Sequence, residues 1–267
     1  MTERSYEVLD RPEVQGVLFY PRRDVGLPRI AAGVHSVRIP VEGSLCVGGK
    51  IFAAAPGSPV VVYFHGNGEI ASDYDTIAPF YTRLGLTLFV VDYRGYGSSD
   101  GRPSASALIG DAVTSFARVP EITASRQIEA GPLYVMGRSL GSAAALEIVD
   151  RAGDAVAGLI IESGFAHTLP LIERIGFLQL PDADEERDGF GNLDKISRAT
   201  LPTLIIHGER DFIIPVGDGI ALYEGSPAVD KRLVTVPGAG HNDLMMVGHK
   251  AYFDAIADFC GRTAGTG

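Results

Sequence analysis

One short stretch constrains the fold of this chain more than any other. Residues 133–141 read LYVMGRSLG, an apolar run that ends in a serine bracketed by glycines, and an alanine-rich run follows it. An apolar run of this length is typical of a buried strand, and the alanine-rich run favours a helix. Ser139 is therefore predicted to lie at a sharp corner between a strand and a helix.

A corner of this kind suits a nucleophilic serine. The turn exposes the hydroxyl at the top of a sheet, while Gly137 and Gly141 permit a strained backbone and close packing of the helix. The start of the helix also presents free N–H groups, so the backbone N–H of Leu140 is a candidate oxyanion donor. Because G-x-S-x-G can arise by chance in a chain with 33 glycines, its interpretation depends on partners elsewhere.

Length and composition favour a single soluble domain. With 267 residues, 46% of them hydrophobic, the chain can bury a large core, and we interpret residues 1–267 as one domain. The formal net charge of -10 disfavours attraction to nucleic acid and to anionic membranes. Residues 1–20 are rich in charge and lack a long apolar run, so neither a signal peptide nor stable membrane insertion is predicted.

The two cysteines give no sign of a metal site or a disulfide framework. Cys46 and Cys260 stand far apart, without the spacing typical of zinc ligands. Isolated thiols favour a reducing compartment, and we predict a cytoplasmic protein. Since the sequence contains no metal-ligand cluster and no dinucleotide fingerprint, no cofactor is expected. The residues leave the oligomeric state open.

Short continuous apolar runs recur along the chain and predict a mainly parallel sheet. Besides the run before Ser139, they occupy residues 60–64, 86–91, 156–161, 203–206 and 232–236. Such runs are typical of strands buried on both faces of a parallel sheet. Residues 36–41 and 45–54, with a glycine between them, favour an antiparallel opening. Three prolines predict an extended arm over residues 1–35.

Polar residues after these strands supply candidate catalytic groups. Asp211 lies in the loop after the seventh predicted strand, with Glu209 as its nearest rival, and Glu162 follows the sixth strand as another possible acid. His241 follows the last strand through a loop with two glycines and a proline, which lets an imidazole reach over the site. His249 is the weaker candidate because it belongs to a helical stretch.

The loop after the third predicted strand reads HGNG over residues 65–68. In such a position the backbone N–H of Asn67 is predicted to be the second oxyanion donor. We interpret His65 as a structural histidine beneath the turn. Asp92, at the end of the fourth strand, is likewise predicted to pair with Arg94 or to bind backbone N–H groups.

Residues 165–192 depart from the alternation of strands and helices. A dense apolar run is followed by an acidic run, and the segment is expected to lie over the strand ends, where ligands bind in open α/β sheets. Two interpretations stay open. The segment is either a small cap that lines an apolar acyl pocket or a core-packing helix with a solvated charged loop.

Together, the ordered blocks of this sequence resemble the α/β-hydrolase family, most closely its Bem46-like serine hydrolases. The blocks that carry the resemblance, within roughly residues 11–260, are HGNG, DYRGYGSSDG, GRSLG, HGERDFIIP and PGAGHND. The chain order Ser139, Asp211, His241 is also that of α/β-hydrolases. The resemblance implies the α/β-hydrolase fold, a mostly parallel eight-stranded sheet with helices on both faces, here with a small cap insertion. Gly68 replaces an alanine of many relatives, and the membrane segment of several eukaryotic relatives is missing, so their membrane location is not carried over.

A serine hydrolase that cleaves ester or thioester bonds of a small acyl substrate is the expected function. Ser139 is expected to attack the acyl carbonyl, His241 to take and return its proton, and Asp211 to orient the imidazole. Two alternatives stay open: a serine peptidase of the same fold, and a catalytically silent scaffold for ligand or partner binding. The presence of all three groups favours an enzyme.

Overall fold

An eight-stranded sheet organises the computed structural model, which describes residues 4–26, 31–152 and 155–264. In chain order its strands are β1 (Val34–Glu42), β2 (Leu45–Phe52), β3 (Val60–Phe64), β4 (Thr87–Val91), β5 (Leu133–Arg138), β6 (Gly158–Glu162), β7 (Thr203–Gly208) and β8 (Lys231–Val236). Across the sheet the order is β1-β2-β4-β3-β5-β6-β7-β8. β1 and β2 are antiparallel to each other, β2 is antiparallel to β4, and every pair from β4 to β8 is parallel. The mostly parallel sheet with an antiparallel opening is confirmed.

Helices pack on both faces of this sheet. Within the described ranges they are α1 (Pro12–Leu18), α2 (Ala78–Arg83), α3 (Ala105–Ala117), α4 (Val119–Ser125), α5 (Gly141–Ala152), α6 (Thr168–Gly176), α7 (Glu185–Asp188), α8 (Asn192–Ile196), α9 (Val216–Gly225), α10 (Leu244–Val247) and α11 (His249–Ala264). A short 3-10 helix spans Ala71–Asp75. None of the helices in the described part of the chain combines the length and apolar character that crossing a bilayer requires.

Alternate residues of the central strands point into two separate cores. On β3, Val60, Val62 and Phe64 face one core, whereas Val61 and Tyr63 face the other. The first core is completed by side chains of α3 and α5, and the second by side chains of α2 and α11. Because successive side chains of a strand point to opposite faces, burial on both faces requires an apolar residue at every position. This requirement explains the continuous apolar runs.

The N-terminal segment differs from the extended arm predicted for residues 1–35. Pro12–Leu18 forms α1, and β1 already begins at Val34. A proline in the first turn of a helix is tolerated because the N–H that it lacks has no intrahelical partner there. Pro12 therefore begins a helix rather than excluding one. The parts of the predicted arm at residues 1–3 and 27–30 lie outside the described residues.

The segment at residues 165–192 contains two short helices, α6 and α7, which contact each other through a carboxylate. Glu185, at the start of α7, accepts hydrogen bonds from the backbone N–H groups of Thr168 (2.8 Å) and Leu169 (2.7 Å). These amides begin α6 and have no partner within their own helix. The acidic run therefore includes a residue that stabilises the apolar helix, in addition to charges on the surface.

Candidate active site

Ser139 occupies the corner between β5 and α5, with a backbone φ of +51°. This left-handed conformation is costly for a serine and persists only where surrounding bonds enforce it. Its backbone N–H donates to the carbonyl of Glu162 on β6 at 2.9 Å. Its own carbonyl accepts hydrogen bonds from the backbone N–H of Ser142 at 2.9 Å and from its hydroxyl at 2.6 Å. The corner is thus held from both sides.

The two glycines of the corner are required by close backbone contacts. A Cβ atom on Gly137 would lie 2.3 Å from the carbonyl oxygen of Gly141. A Cβ atom on Gly141 would lie 2.0 Å from the carbonyl oxygen of Phe64, the last residue of β3. Since the opposing atoms belong to the backbone, neither contact could be relieved by rotating a side chain. Any larger residue would push α5 away from the sheet.

The structure brings Ser139, His241 and Asp211 together in one hydrogen-bonded chain. The Nε2 atom of His241 lies 3.0 Å from the Oγ atom of Ser139, and its Nδ1 atom lies 2.7 Å from Oδ2 of Asp211. A carboxylate only accepts hydrogen bonds, so the imidazole proton belongs on Nδ1 and leaves Nε2 free to accept the serine proton. All three residues are buried.

Asp211 is fixed by more than its contact with the imidazole. Its Oδ1 atom accepts hydrogen bonds from the backbone N–H groups of Ile213 (3.0 Å) and Ile214 (2.8 Å). Burial by itself raises the pKa of the carboxyl group, but hydrogen bonds from His207, His241 and Ile214 outweigh it and hold the pKa below its ordinary value. The group therefore remains a carboxylate, the form that can hold a protonated imidazole.

His207 is a neighbour of Asp211 that sequence reasoning did not single out. Its Nε2 atom lies 2.8 Å from the carbonyl oxygen of Ile214 and 3.5 Å from Oδ2 of Asp211. Because a carbonyl only accepts, Nε2 carries the proton. The side chain is fully buried and has no contact with Ser139 among the described hydrogen bonds. The sequence feature that could have indicated this role is the position of His207 at the start of the HGERD block.

Two backbone amides border the cavity in front of Ser139. Asn67 and Leu140 both line this cavity. Within the described residues, neither backbone N–H donates a hydrogen bond to another protein group. The side chain of Asn67 is engaged instead, since its Oδ1 atom accepts from the N–H of Tyr20 and the hydroxyl of Tyr96, each at 2.7 Å. Both amides are thus free to bind an anionic oxygen.

The rival acids have other partners. Glu162 binds Arg138 and accepts from the hydroxyl of Tyr252 at 2.7 Å, and Glu209 accepts from the hydroxyl of Thr235 at 3.2 Å. The expected pairing of Asp92 with Arg94 is wrong, because Arg94 binds Asp111 and Glu42. Asp92 instead accepts from the backbone N–H of Ala71 at 2.7 Å, in line with its other predicted role.

The other two histidines considered from the sequence, His65 and His249, have different neighbours. His65 is fully buried against the ring of Tyr93, at 4.4 Å between centroids, and its Nδ1 atom lies 2.9 Å from the carbonyl oxygen of Gly66. His249 packs edge-on against Phe80 and Phe253, at 4.8 and 4.9 Å between centroids. Neither imidazole is hydrogen-bonded to Ser139 or Asp211 in the described part of the chain.

Arg138, the residue before the serine, is the centre of a buried charged cluster that sequence reasoning missed. Its guanidinium binds Glu69 and, at 3.1 Å, Glu162. It also donates to the carbonyl oxygen of His241 at 2.8 Å and to Oδ1 of Asn242 at 3.2 Å. A charged residue inside the G-x-S-x-G motif was the only local sign of this cluster.

Opposite charges stabilise the ionised forms of Glu69 and Arg138. Burial by itself raises the pKa of Glu69, but the nearby Arg138 guanidinium holds the pKa below its ordinary value. Burial likewise opposes the charge of Arg138, and Glu69 and Glu162 raise its pKa above its ordinary value. Since two carboxylates face one guanidinium, hydrogen bonds from buried tyrosines supply the remaining partners.

The cavity in front of Ser139 has a volume of about 350 Å³, and its wall has a polar part around Ser139 and His241 and an apolar part. α1 contributes Val17 and Leu18, α6 contributes Leu171 and Ile175, and Ile213 comes from the loop of Asp211. No acidic side chain is among its described lining residues. The described ranges also contain no group of three or more His, Cys, Asp or Glu residues placed to hold a metal ion.

Solved structures share this fold. An esterase from Pyrococcus furiosus superposes with a TM-score of 0.73 at 19% identity, covering 92% of this chain and 99% of that one. A monoacylglycerol lipase from Paleococcus ferrophilus superposes with a TM-score of 0.60 at 17% identity, covering 81% and 99%. At such low identities the likeness concerns the fold, which is the α/β-hydrolase fold.

Sequence relatives identify the family. Residues 56–176 match the family described as serine aminopeptidase, S33. Alpha/beta hydrolase domain-containing protein 17C of Xenopus tropicalis is 31% identical over 233 residues, which cover 85% of this chain and 69% of that protein. Protein bem46 of Schizosaccharomyces pombe is 29% identical over 206 residues, covering 75% and 67%. The chain belongs to the α/β-hydrolase family, and its similarity to bem46 agrees with the resemblance of its motifs.

Proposed function

We propose that this protein is a serine hydrolase that cleaves ester or thioester bonds of a small acyl substrate through Ser139, His241 and Asp211. The observation that carries the proposal is the pair of contacts made by His241, 3.0 Å to the Ser139 hydroxyl and 2.7 Å to the Asp211 carboxylate. A binding scaffold has no need of a buried relay of this kind. The esterase and the lipase that share the fold are named for ester cleavage, which supports the same reaction class.

The geometry suits acyl transfer in two steps. His241 takes the hydroxyl proton as Ser139 attacks the acyl carbonyl, and then gives that proton to the leaving group. Asp211 stabilises the imidazolium formed in between. The backbone N–H groups of Asn67 and Leu140 bind the tetrahedral oxyanion, and each is worth about 3 kcal/mol of transition-state stabilisation by comparison with measured donor deletions. Water, activated by the same imidazole, then releases the acid from the serine.

The apolar part of the cavity wall favours an apolar acyl group. Leu171 and Ile175 of α6 line the cavity, which supports the interpretation of residues 165–192 as a small cap over an acyl pocket. A volume of about 350 Å³ holds a short or medium acyl chain. A small ester or thioester with an apolar acyl group is the substrate class that this proposal implies.

A serine peptidase is the second candidate, because the matched family is described as serine aminopeptidase. An aminopeptidase has to bind the positively charged amino terminus of its substrate, which calls for an acidic group at the site. The described residues that line the catalytic cavity include no Asp or Glu. His241 also borders a second cavity, whose acidic residues are Glu69, Asp73 and Glu162, and each of these is paired with an arginine. Ester cleavage therefore has the better support.

One pair of variants tests the proposal. Ser139→Ala is expected to lower turnover of p-nitrophenyl esters by about four to six orders of magnitude without lowering Tm. Ser163→Ala is the matched control, because Ser163 is also buried with a positive φ of 46° but its hydroxyl has no hydrogen-bond partner in the described residues. Undiminished turnover in Ser139→Ala would refute the proposal. Parallel assays with acyl-thioester and amide substrates decide the bond type, and faster amide cleavage would favour the peptidase.

A further inference from the structure

Residues 20–24, which we call the strap, connect two loops next to the catalytic cavity. On one side the strap binds the loop at residues 93–101, where the N–H of Gly97 donates to the carbonyl of Arg22 at 2.8 Å and the N–H of Asp24 donates to the carbonyl of Gly97 at 3.2 Å. The Arg23 guanidinium also donates to the carbonyl of Ser99. The strap is thus fixed to the body of the protein by several bonds.

On its other side the strap binds the loop at residues 65–68, which we call the Asn67 loop. The backbone N–H of Tyr20 donates to Oδ1 of Asn67 at 2.7 Å and also lies 2.8 Å from the hydroxyl oxygen of Tyr96. That hydroxyl donates to the same Oδ1 atom at 2.7 Å. Two donors therefore hold the Asn67 side chain and restrict its rotation. A backbone that carries an anchored side chain loses much of its own freedom as well.

A second contact fixes the residue that follows. The Nε atom of Arg22 donates to the carbonyl oxygen of Gly68 at 3.0 Å, and the guanidinium pairs with Asp73. Gly68 has a φ of +79°, and glycine adopts positive and negative φ values with similar ease. The bond from Arg22 favours the conformation that is observed. The strap therefore holds the loop at both Asn67 and Gly68.

The peptide bond between Gly66 and Asn67 is held by contacts with neighbouring residues of the same segment. The N–H of Asn67 belongs to the same trans peptide as the carbonyl of Gly66, and the two point in opposite directions. The Gly66 carbonyl oxygen lies 2.9 Å from Nδ1 of His65 and 3.3 Å from the backbone N of Glu69. With the carbonyl held on that side, the Asn67 N–H can face the cavity.

From these contacts we infer that Tyr20 and Arg22 are positioning residues, which fix the direction of the Asn67 N–H toward the oxyanion of the transition state. The inference rests on the proposed function, because it assigns the strap a part in that reaction. A preorganised donor needs no rearrangement when charge develops on the substrate oxygen. Loosening the strap should therefore weaken binding of the transition state more than binding of the substrate.

Two variants weaken the contact between the strap and the Asn67 loop and leave the side chains of Ser139, His241 and Asp211 unchanged. Arg22→Ala removes the bond to the Gly68 carbonyl, and the Arg22 side chain is 44% exposed, so its loss leaves no cavity. Asn67→Ala removes the anchored side chain and keeps the backbone N–H. Arg23→Ala is the matched control on the same strap, because Arg23 binds Ser99 rather than the Asn67 loop. Asp73→Asn is the control for the ion pair of Arg22 alone.

The measurement compares ester turnover with inhibition by an alkyl trifluoromethyl ketone, which forms a tetrahedral adduct with an active-site serine. Arg22→Ala and Asn67→Ala are expected to lower kcat about tenfold or more while KM stays near the wild-type value. The inhibition constant of the ketone should rise by the same factor as kcat/KM falls, because both report transition-state binding. Arg23→Ala and Asp73→Asn should change neither quantity.

The outcomes separate the strap from the proposed function. Three outcomes would overturn the role of the strap while Ser139-dependent turnover stands. They are equal losses of kcat in Arg22→Ala and Arg23→Ala, an unchanged kcat in Arg22→Ala and Asn67→Ala, and an unchanged inhibition constant of the ketone in these two variants. Wild-type protein without Ser139-dependent turnover would overturn the proposed function and this inference with it. Melting temperatures of all four variants identify any loss of activity that comes from unfolding.

Discussion

The Nη2 atom of Arg138 donates a hydrogen bond of 2.8 Å to the backbone carbonyl oxygen of His241. Arg138 directly precedes Ser139, so a single side chain connects the strand that carries the serine with the loop that carries the imidazole. The same guanidinium is paired with Glu69 and Glu162, which hold it in place. The distance between serine and imidazole therefore depends on a charged cluster as well as on the loop itself.

Arg138→Met should lower the free energy of unfolding by about 3 to 5 kcal/mol, because it leaves the buried carboxylate of Glu162 and the partly buried carboxylate of Glu69 without their cation. Denaturation by urea measures this change. The double variant Arg138→Met, Glu162→Gln is the control and should recover part of the loss, since one of the unpaired charges is then neutral. A loss below about 1 kcal/mol, the size typical of a surface ion pair, would contradict a stabilising role for the cluster.

His241→Ala should slow labelling of Ser139 by a fluorophosphonate probe by at least about a thousandfold, because the probe reacts only with a serine whose proton is removed by a base. His249→Ala is the matched control. His249 is exposed and packs on Phe80 and Phe253, so its loss should leave labelling intact. Slow labelling of Ser139 in His249→Ala, with intact labelling in His241→Ala, would assign the base to His249.

Asp211→Asn should lower Tm near neutral pH, and the difference from wild type should narrow as pH falls. An aspartate in an unfolded chain has a pKa of about 3.9, and the pKa of Asp211 in the folded protein is lower. Its contribution to the free energy of unfolding is therefore complete above about pH 3.9 and is lost as pH falls through the folded pKa. Melting curves between about pH 6 and pH 3 measure the difference.

Glu209→Gln is the control for this experiment, because Glu209 lies two residues away on the same loop but is exposed. Its Tm should stay close to that of wild type across the same pH range. The same variant should keep ester turnover, whereas Asp211→Asn should lose about four orders of magnitude in kcat. A Tm difference for Asp211→Asn that is independent of pH would show that the carboxylate charge is not what stabilises the fold.

Ile175→Trp should shift selectivity toward short acyl chains, because the larger ring occupies part of the cavity of about 350 Å³. We expect kcat/KM for an octanoyl ester to fall about tenfold relative to that for an acetyl ester. Phe177→Trp is the matched control, since Phe177 follows the same helix, is 92% exposed and is absent from the described cavity wall. Equal losses for both chain lengths would show that α6 does not form the acyl pocket.

The strands were predictable because each depends on a local property of the chain. A strand such as β3, buried on both faces, needs an unbroken apolar run, and VVVYF shows it directly. The order of Ser139, Asp211 and His241 after their strands could also be read along the sequence. α1 was missed because Pro12 was taken as a sign of extended chain, although proline also fits the first turn of a helix.

The supports of the site were not predictable in the same way. Tyr20 and Asn67 are 47 residues apart, and Arg138 and His241 are 103 apart, so no local pattern joins them. Their contacts follow from the order of the strands across the sheet, with β4 between β2 and β3 and with β7 and β8 beyond β6. His207 and Glu69 likewise acquire their roles only from neighbours that the sheet brings near.

The sequence by itself determined which residues carry reactive groups and that each stands just beyond a strand, because apolar runs and glycine turns act over a few residues. Only the tertiary structure decided which imidazole meets which carboxylate and how the loops are held. Those relationships depend on hydrogen bonds and charge pairs between distant segments, whose distances are set by the packing of the whole sheet.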